Sequence, residues 1–145
     1  MTTQKAEATF TVANWTESLI TDIDGTGITA GDAYYPHRGV TQVLATYAYT
    51  GDIDGTGTVA SLITYMEGPA PVLGFERFEG SIGGHEGSCV FRQIGDQDAG
   101  SVTVRIEIIP GLGTGALENM TGTADLAIAG ESEDGYGVTL EYELS

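Results

Sequence analysis

The chain has 145 residues, 22 of them glycine and only 4 proline, and its 21 acids against five cations give a formal net charge of −16. That length fits one domain able to bury a core without staples. The charge excludes nucleic acid, whose phosphates need clustered cations, and an anionic membrane surface for the same reason; it suits solubility or a salt-rich cytoplasm.

Residues 6–15 alternate, with Ala6, Ala8, Phe10 and Val12 on one face, which predicts a first strand. Trp15 falls on the other parity near its end, a place to cap the core or line a pocket mouth. Residues 16–39 contain Asp22-Ile-Asp-Gly-Thr-Gly27 and Tyr34-Tyr35-Pro36-His37-Arg38-Gly39, and read as a long connection with at most a short strand. Residues 40–50 are β-prone and apolar on both parities, so partial burial of both faces is expected. Residues 51–57 read as a turn, residues 58–66 as a strand, and Glu67-Gly-Pro-Ala-Pro71 breaks it.

Residues 72–82 form the next strand, with Val72, Glu76, Phe78 and Ile82 on one face and Leu73, Phe75, Arg77 and Glu79 on the other. Gly83-Gly84 turns the chain into residues 86–94, where Cys89, Phe91 and Gln93 share a face. After a turn at 95–100, residues 101–109 bring Val102, Val104, Ile106 and Ile108 together. A glycine-rich turn covers 110–115, and residues 116–120 suit one helical turn. Residues 121–129 carry Ala124, Leu126 and Ile128 on one face, and an acidic turn covers 131–135. Residues 136–144 alternate most cleanly, with Tyr136, Val138, Leu140, Tyr142 and Leu144 inward. These are about eight strands at sandwich or barrel spacing, with no helix long enough for an α/β fold. The expected fold is all-β: residues 1–145 as a single antiparallel eight-stranded β-barrel, because closure leaves no unpaired edge.

Several motifs carry less than they suggest. Asp22-Ile-Asp-Gly-Thr-Gly27 recurs as Asp52-Ile-Asp-Gly-Thr-Gly57, but neither copy has acids at the first and last positions of an EF-hand loop. Both read as turns. Gly111-Leu-Gly-Thr-Gly115 lacks the lysine and the long helix of a phosphate loop. His37, His85 and Cys89 have no metal-ligand spacing, and nothing near Ser81 or Ser88 resembles a nucleophile elbow. Neither metal nor cofactor is expected. Cys89 is the only cysteine, so no internal disulfide forms. The N-terminal residues lack the apolar run of a signal peptide, no later run is long enough to span a membrane, and a cytoplasmic location is expected.

Gly51-Asp-Ile-Asp-Gly-Thr-Gly57, Gly74-Phe-Glu-Arg-Phe-Glu-Gly80, Gly84-His-Glu-Gly-Ser-Cys89 and Ile109-Pro-Gly-Leu-Gly-Thr-Gly115 resemble successive motifs of the DUF3224 family. The resemblance runs from about Ala8 to the C-terminus and is weakest over residues 16–39. It implies an allene oxide cyclase-like barrel. The family more often has Phe at the position of Cys89, Leu-Gln-His at Phe91-Arg92-Gln93, and Ser at Leu112, so no role of that histidine carries over to Gln93. More distant barrels of this kind include cofactor-free cyclases and dirigent proteins, which hold a reactive molecule in a hydrophobic cavity. The likeness is one of fold, and fold does not set function. Related barrels assemble as trimers; the residues are compatible with a homo-oligomer but do not fix one.

Glu76 is the candidate catalytic residue. On an apolar barrel-lining face its carboxyl would be desolvated and its pKa raised, as in a tuned general acid or base. The competing arrangements are a flipped strand with Leu73 and Phe75 inward, or a buried pair with Arg77 or Arg105. Trp15, Tyr65, Phe78, Cys89, Phe91, Gln93 and Tyr142 are candidate substrate-binding residues lining the same cavity, with Met66 beside them; ordinary core packing is the alternative for each. Two functions follow. One is a barrel binding a hydrophobic small molecule, with cofactor-free isomerase or cyclase chemistry. The other is a non-catalytic binding or interaction protein with a packed barrel and an acidic outer face.

Overall fold

The alternation produces strands along nearly the whole chain in a computed structural model that describes residues 3–31, 33–99, 101–129 and 134–144. In order they are β1 (Gln4–Asp22), β2 (Gly27–Ala30), β3 (Ala33–Pro36), β4 (Gly39–Gly51), β5 (Ile53–Tyr65), β6 (Ala70–Ile82), β7 (His85–Asp98), β8 (Ser101–Ile108), β9 (Thr114–Gly115), β10 (Thr121–Ala129) and β11 (Tyr136–Glu143). Eight of them, β1-β4-β5-β6-β7-β8-β10-β11, form an antiparallel up-and-down barrel. It closes where β11 returns to β1, from Gln4↔Tyr142 to Phe10↔Tyr136. The ladder therefore has no free edge in the ring. The short β9 adds to β7 through Gly87↔Gly115, and β2–β3 is a separate hairpin. Among the described residues there is no helix long and apolar enough to cross a membrane. The acidic turn expected at 131–135 lies largely outside the described residues.

Three expectations are corrected. Residues 16–39 are not mainly a connection. Strand β1 continues to Asp22 along β4, with bulges between Val12 and Asn14 and between Leu19 and Thr21. The extra residue of a bulge reverses the parity, so Trp15 and Glu17 pair with Ala45 and Val43 and turn to the inner face. The hairpin β2–β3 follows. Asp22 caps its entry, accepting from Gly25 N at 3.0 Å and from the Tyr34 hydroxyl, and the Arg38 guanidinium clasps Asp24.

Strand β4 is not buried on both faces. Its odd residues Thr41, Val43, Ala45 and Tyr49 are buried, whereas Leu44 is half exposed. With Leu62, Leu73, Phe75 and Ile94 it makes an apolar outer face, which blurred the period of two. Residues 51–57 are not a turn beyond Asp52, since β5 begins at Ile53. Gly55 and its partner Gly80 both have φ of +150°. A Cβ on either would sit 2.0–2.1 Å from a carbonyl oxygen of the facing strand. Only glycine admits so close an approach.

The interior has two halves. At one end Phe78, Ile82, Leu117, Met120 and Leu140 are fully buried. Leu117 and Met120 come from the segment between β8 and β10, where Leu117 N→Thr114 O (3.1 Å) and Met120 N→Leu117 O (3.3 Å) form successive turns in place of the expected helical turn. That segment plugs the barrel. Above it lies a chain of ring contacts, Tyr136–Phe10 (5.4 Å), Phe10–Tyr49 (5.4 Å), Tyr49–Phe78 (5.5 Å) and Phe78–Phe91 (6.0 Å). The other end is hollow.

Candidate functional site

The hollow end encloses a cavity of about 860 Å³. The inward residues of β8 and β10, among them Val102, Val104, Ile106, Leu126 and Ile128, make one apolar wall. Phe10, Tyr47, Tyr49 and Tyr136 line it toward the packed end, and Trp15 and Tyr35 stand at its mouth. Its polar points are tyrosine hydroxyls, the Trp15 indole, Thr11, Ser61 and Gln93. A cavity of this size, apolar with sparse polar groups, has the character of a small-molecule site.

Glu76 faces inward from the middle of β6, as its alternation predicts, and is fully buried. Its carboxyl is held at both oxygens. The Tyr49 hydroxyl donates to Oε2 at 2.6 Å, and Gln93 Nε2 donates to Oε1 at 2.8 Å. Both donors line the cavity; Glu76 lies just behind them. The position opposite its oxygens is Gly57, where a Cβ would come within 1.9 Å of Oε2. A glycine there is what leaves room for the carboxyl. The arginines considered as partners point outward: Arg77 pairs with Glu79, and Arg105 with Glu107 and Asp125.

Burial dominates the electrostatics. Loss of water raises the Glu76 pKa to about 7, and the hydrogen bonds from Tyr49 and Gln93 only partly oppose this. Near neutral pH the group is about equally acid and carboxylate. Burial, then the Glu76 charge, holds the Tyr49 and Tyr47 phenols well above the ordinary tyrosine value. Both therefore remain neutral donors at neutral pH. Tyr49 thus presents a hydroxyl to the cavity and a buried, half-protonated carboxyl behind it.

A second depression opens at the mouth, continuous with the cavity through Trp15, Tyr35, Ile63 and Val102. Glu17 lies in it and accepts from Thr41 Oγ1 at 2.6 Å, from Trp15 Nε1 at 3.2 Å and from the Tyr65 hydroxyl. Burial and this bond to Glu17 raise the Tyr65 pKa.

The expected site residues separate accordingly. Trp15 and Gln93 line the cavity, while Tyr65 and Met66 line only the mouth. Phe78, Cys89, Phe91 and Tyr142 do not line it, which corrects their expected placement: they belong to the packed half, Phe78 and Phe91 as the far rings of the aromatic layer and Cys89 and Tyr142 buried with them in the core. The Tyr142 hydroxyl donates to Gln4 Oε1 at 3.2 Å. Tyr49, Gly57, Tyr35 and Glu17 were not anticipated. The inward parity of β4 marks Tyr49, whereas the bulge near Ala13 hides Glu17. Among the described residues no group of three or more His, Cys, Asp or Glu side chains could hold a metal ion.

The burial of Cys89 carries a direct expectation. Desolvation, with the nearby Glu76 charge, pushes its thiol up to about 12. A thiol reagent at pH 8 should leave the folded protein unmodified and label it stoichiometrically in denaturant. Rapid labelling without denaturant would mean that the packed half opens readily.

A family model described as "Protein of unknown function (DUF3224)" matches residues 6–142. A crystal structure of a DUF3224-family protein of unknown function from Shewanella oneidensis MR-1 is similar, with a TM-score of 0.70 at 16% identity, covering 99% of this chain and 98% of that one. At that identity the likeness shows the fold alone. No curated protein matches.

Proposed function

Because the chain belongs to the DUF3224 family, a family described as of unknown function, we propose a function from the cavity itself: a barrel that binds a largely apolar small molecule bearing at least one hydrogen-bonding group. The observation that carries this reading is the 860 Å³ hollow, whose polar points Tyr49 and Gln93 share one buried carboxyl. The aliphatic wall of β8 and β10 takes the apolar body. Tyr49 and Gln93 meet the polar group.

The same pair supports cofactor-independent proton transfer of the isomerase or cyclase kind. Tyr49 would give its hydroxyl proton to a substrate atom while protonated Glu76 passes its own to the Tyr49 oxygen. The reverse sequence removes a proton from the substrate. A carboxyl titrating near 7 serves both directions. The resemblance read from the sequence motifs extends to distant cofactor-free cyclases that hold a reactive molecule in a hydrophobic cavity, and it favours this chemistry by analogy of fold only.

Binding is tested with Nile red, a neutral dye that fluoresces in apolar surroundings. One saturable site is expected, with a concurrent change in the emission of Trp15, the only tryptophan. Ser61→Phe places a ring in the hollow and should weaken dye binding by tenfold or more, with the fold retained by circular dichroism. Absence of saturable binding, or binding indifferent to Ser61→Phe, would remove the cavity as the functional site. The interaction-protein alternative would then lead.

A further inference from the structure

The mouth has chemistry that the apolar hollow does not need. Three aromatic side chains line the depression, Trp15 from β1, Tyr35 from β3 and Tyr65 from β5. The rings of Tyr35 and Tyr65 lie 6.1 Å apart at 54°. Among them sits the carboxylate of Glu17. Its side chain is oriented by donors on three strands: Trp15 Nε1, Thr41 Oγ1 and the Tyr65 hydroxyl. Three neutral donors hold the charge in place without cancelling it, and no ion pair to Glu17 is present among the described residues. His37, which also lines the depression, meets Thr26 Oγ1 at 3.3 Å through Nδ1, and the neighbouring Arg38 is committed to Asp24. A fixed anion attracts an organic cation by charge, and neighbouring aromatic rings add to that attraction where the cation meets a ring face.

The two hollows share Trp15, Tyr35, Ile63 and Val102, so one molecule can occupy both. We propose that the ligand is an amphiphilic organic cation, with an amine or quaternary ammonium head at Glu17 among Trp15, Tyr35 and Tyr65 and an apolar tail in the barrel. This inference rests on the binding reading above and narrows it to a ligand class. The overall charge of −16 favours approach of such a molecule, but it does so over the whole surface. The mouth joins the Glu17 carboxylate directly to an entrance into apolar space.

Titration calorimetry with three probes of equal tail length, below their aggregation concentrations, tests the inference: decyltrimethylammonium, decanol and decyl sulfate. The ammonium probe is expected to bind about tenfold or more tighter than decanol, with decyl sulfate weakest. The preference should persist in part at about 1 M salt, where the Debye length of about 3 Å removes long-range attraction. Glu17→Gln should reduce ammonium binding about tenfold and leave decanol unchanged. Trp15→Leu should weaken ammonium binding by a larger factor than decanol binding, since the indole both lines the hollow and donates to Glu17. Glu118→Gln, an exposed acid at the packed end, removes the same charge and should leave all three affinities as they were. Equal affinity for the three probes, or an ammonium preference untouched by both Glu17→Gln and Trp15→Leu, overturns the cation inference and leaves the cavity reading standing. Failure of all three probes to bind overturns the cavity reading instead.

Discussion

Glu76→Gln should stabilise the protein above neutral pH and leave it nearly unchanged below about pH 4.5. The ordinary glutamate value near 4.5 applies to the unfolded chain, whereas burial raises the folded value to about 7. Between those values the native state holds a proton that the unfolded state has released. Native-state stability therefore falls as pH rises through this window, and the cost is complete above the folded pKa. Two and a half pH units at about 1.4 kcal/mol each give a loss on the order of 3 kcal/mol. Glutamine has the shape of the protonated acid, keeps a carbonyl for the Tyr49 hydroxyl and does not titrate. Urea denaturation of both proteins from pH 4 to 8 isolates the effect, since the repulsion among the other acids is common to both. A difference that grows by about 3 kcal/mol across the window is expected. Parallel stability curves would mean that Glu76 is hydrated and titrates like a surface acid.

Gly57→Ala is expected to destabilise the fold by about 2–4 kcal/mol, a large effect for one methyl group on a strand. The backbone at this position is open to alanine, since Gly57 is not among the residues of positive φ. The obstacle is the carboxyl: the new Cβ would lie 1.9 Å from Glu76 Oε2 and 2.8 Å from Cδ. Glu76 can retreat only by giving up the hydrogen bond from Tyr49 in a place without water. The double variant Gly57→Ala/Glu76→Ala removes the obstacle and should be more stable than the sum of the two single losses by 1 kcal/mol or more. Strict additivity would show that Gly57 is needed for some reason other than the space of this carboxylate.

The inward orientation of Glu76 was legible because β6 keeps an unbroken period of two from Val72 to Ile82, with glycine, glutamate, phenylalanine and isoleucine on its inner parity. The closed meander was legible from strand spacing and from the apolar inner parities of β8, β10 and β11. Three features obscured the rest. Apolar residues on the outer face, Leu44 and Phe75 among them, imitate burial. Gly55 and Gly57 look like turn glycines yet stand within a strand, one for a close approach of two backbones and the other for a side chain across the ladder. The boundary between packed and hollow halves depends on long-range ring contacts, so local pattern does not separate Phe91 from Gln93, two residues further along the same face.

The bulge between Val12 and Asn14 makes the entrance of the barrel a cassette in the evolutionary sense. Ala13 stands outside the ladder, and that one unpaired residue sets Trp15 and Glu17 toward the mouth. A β1 that took Ala13 into regular pairing would turn Trp15 and Glu17 to the outer surface and bring Thr16 and Ser18 to the mouth. A shift of frame by one residue thus exchanges an aromatic, acidic doorway for a neutral hydroxyl one, while the ring of strands and the plugged end stay as they are. Substrate range in such a barrel can change by shifts of frame along one strand as readily as by replacement of side chains.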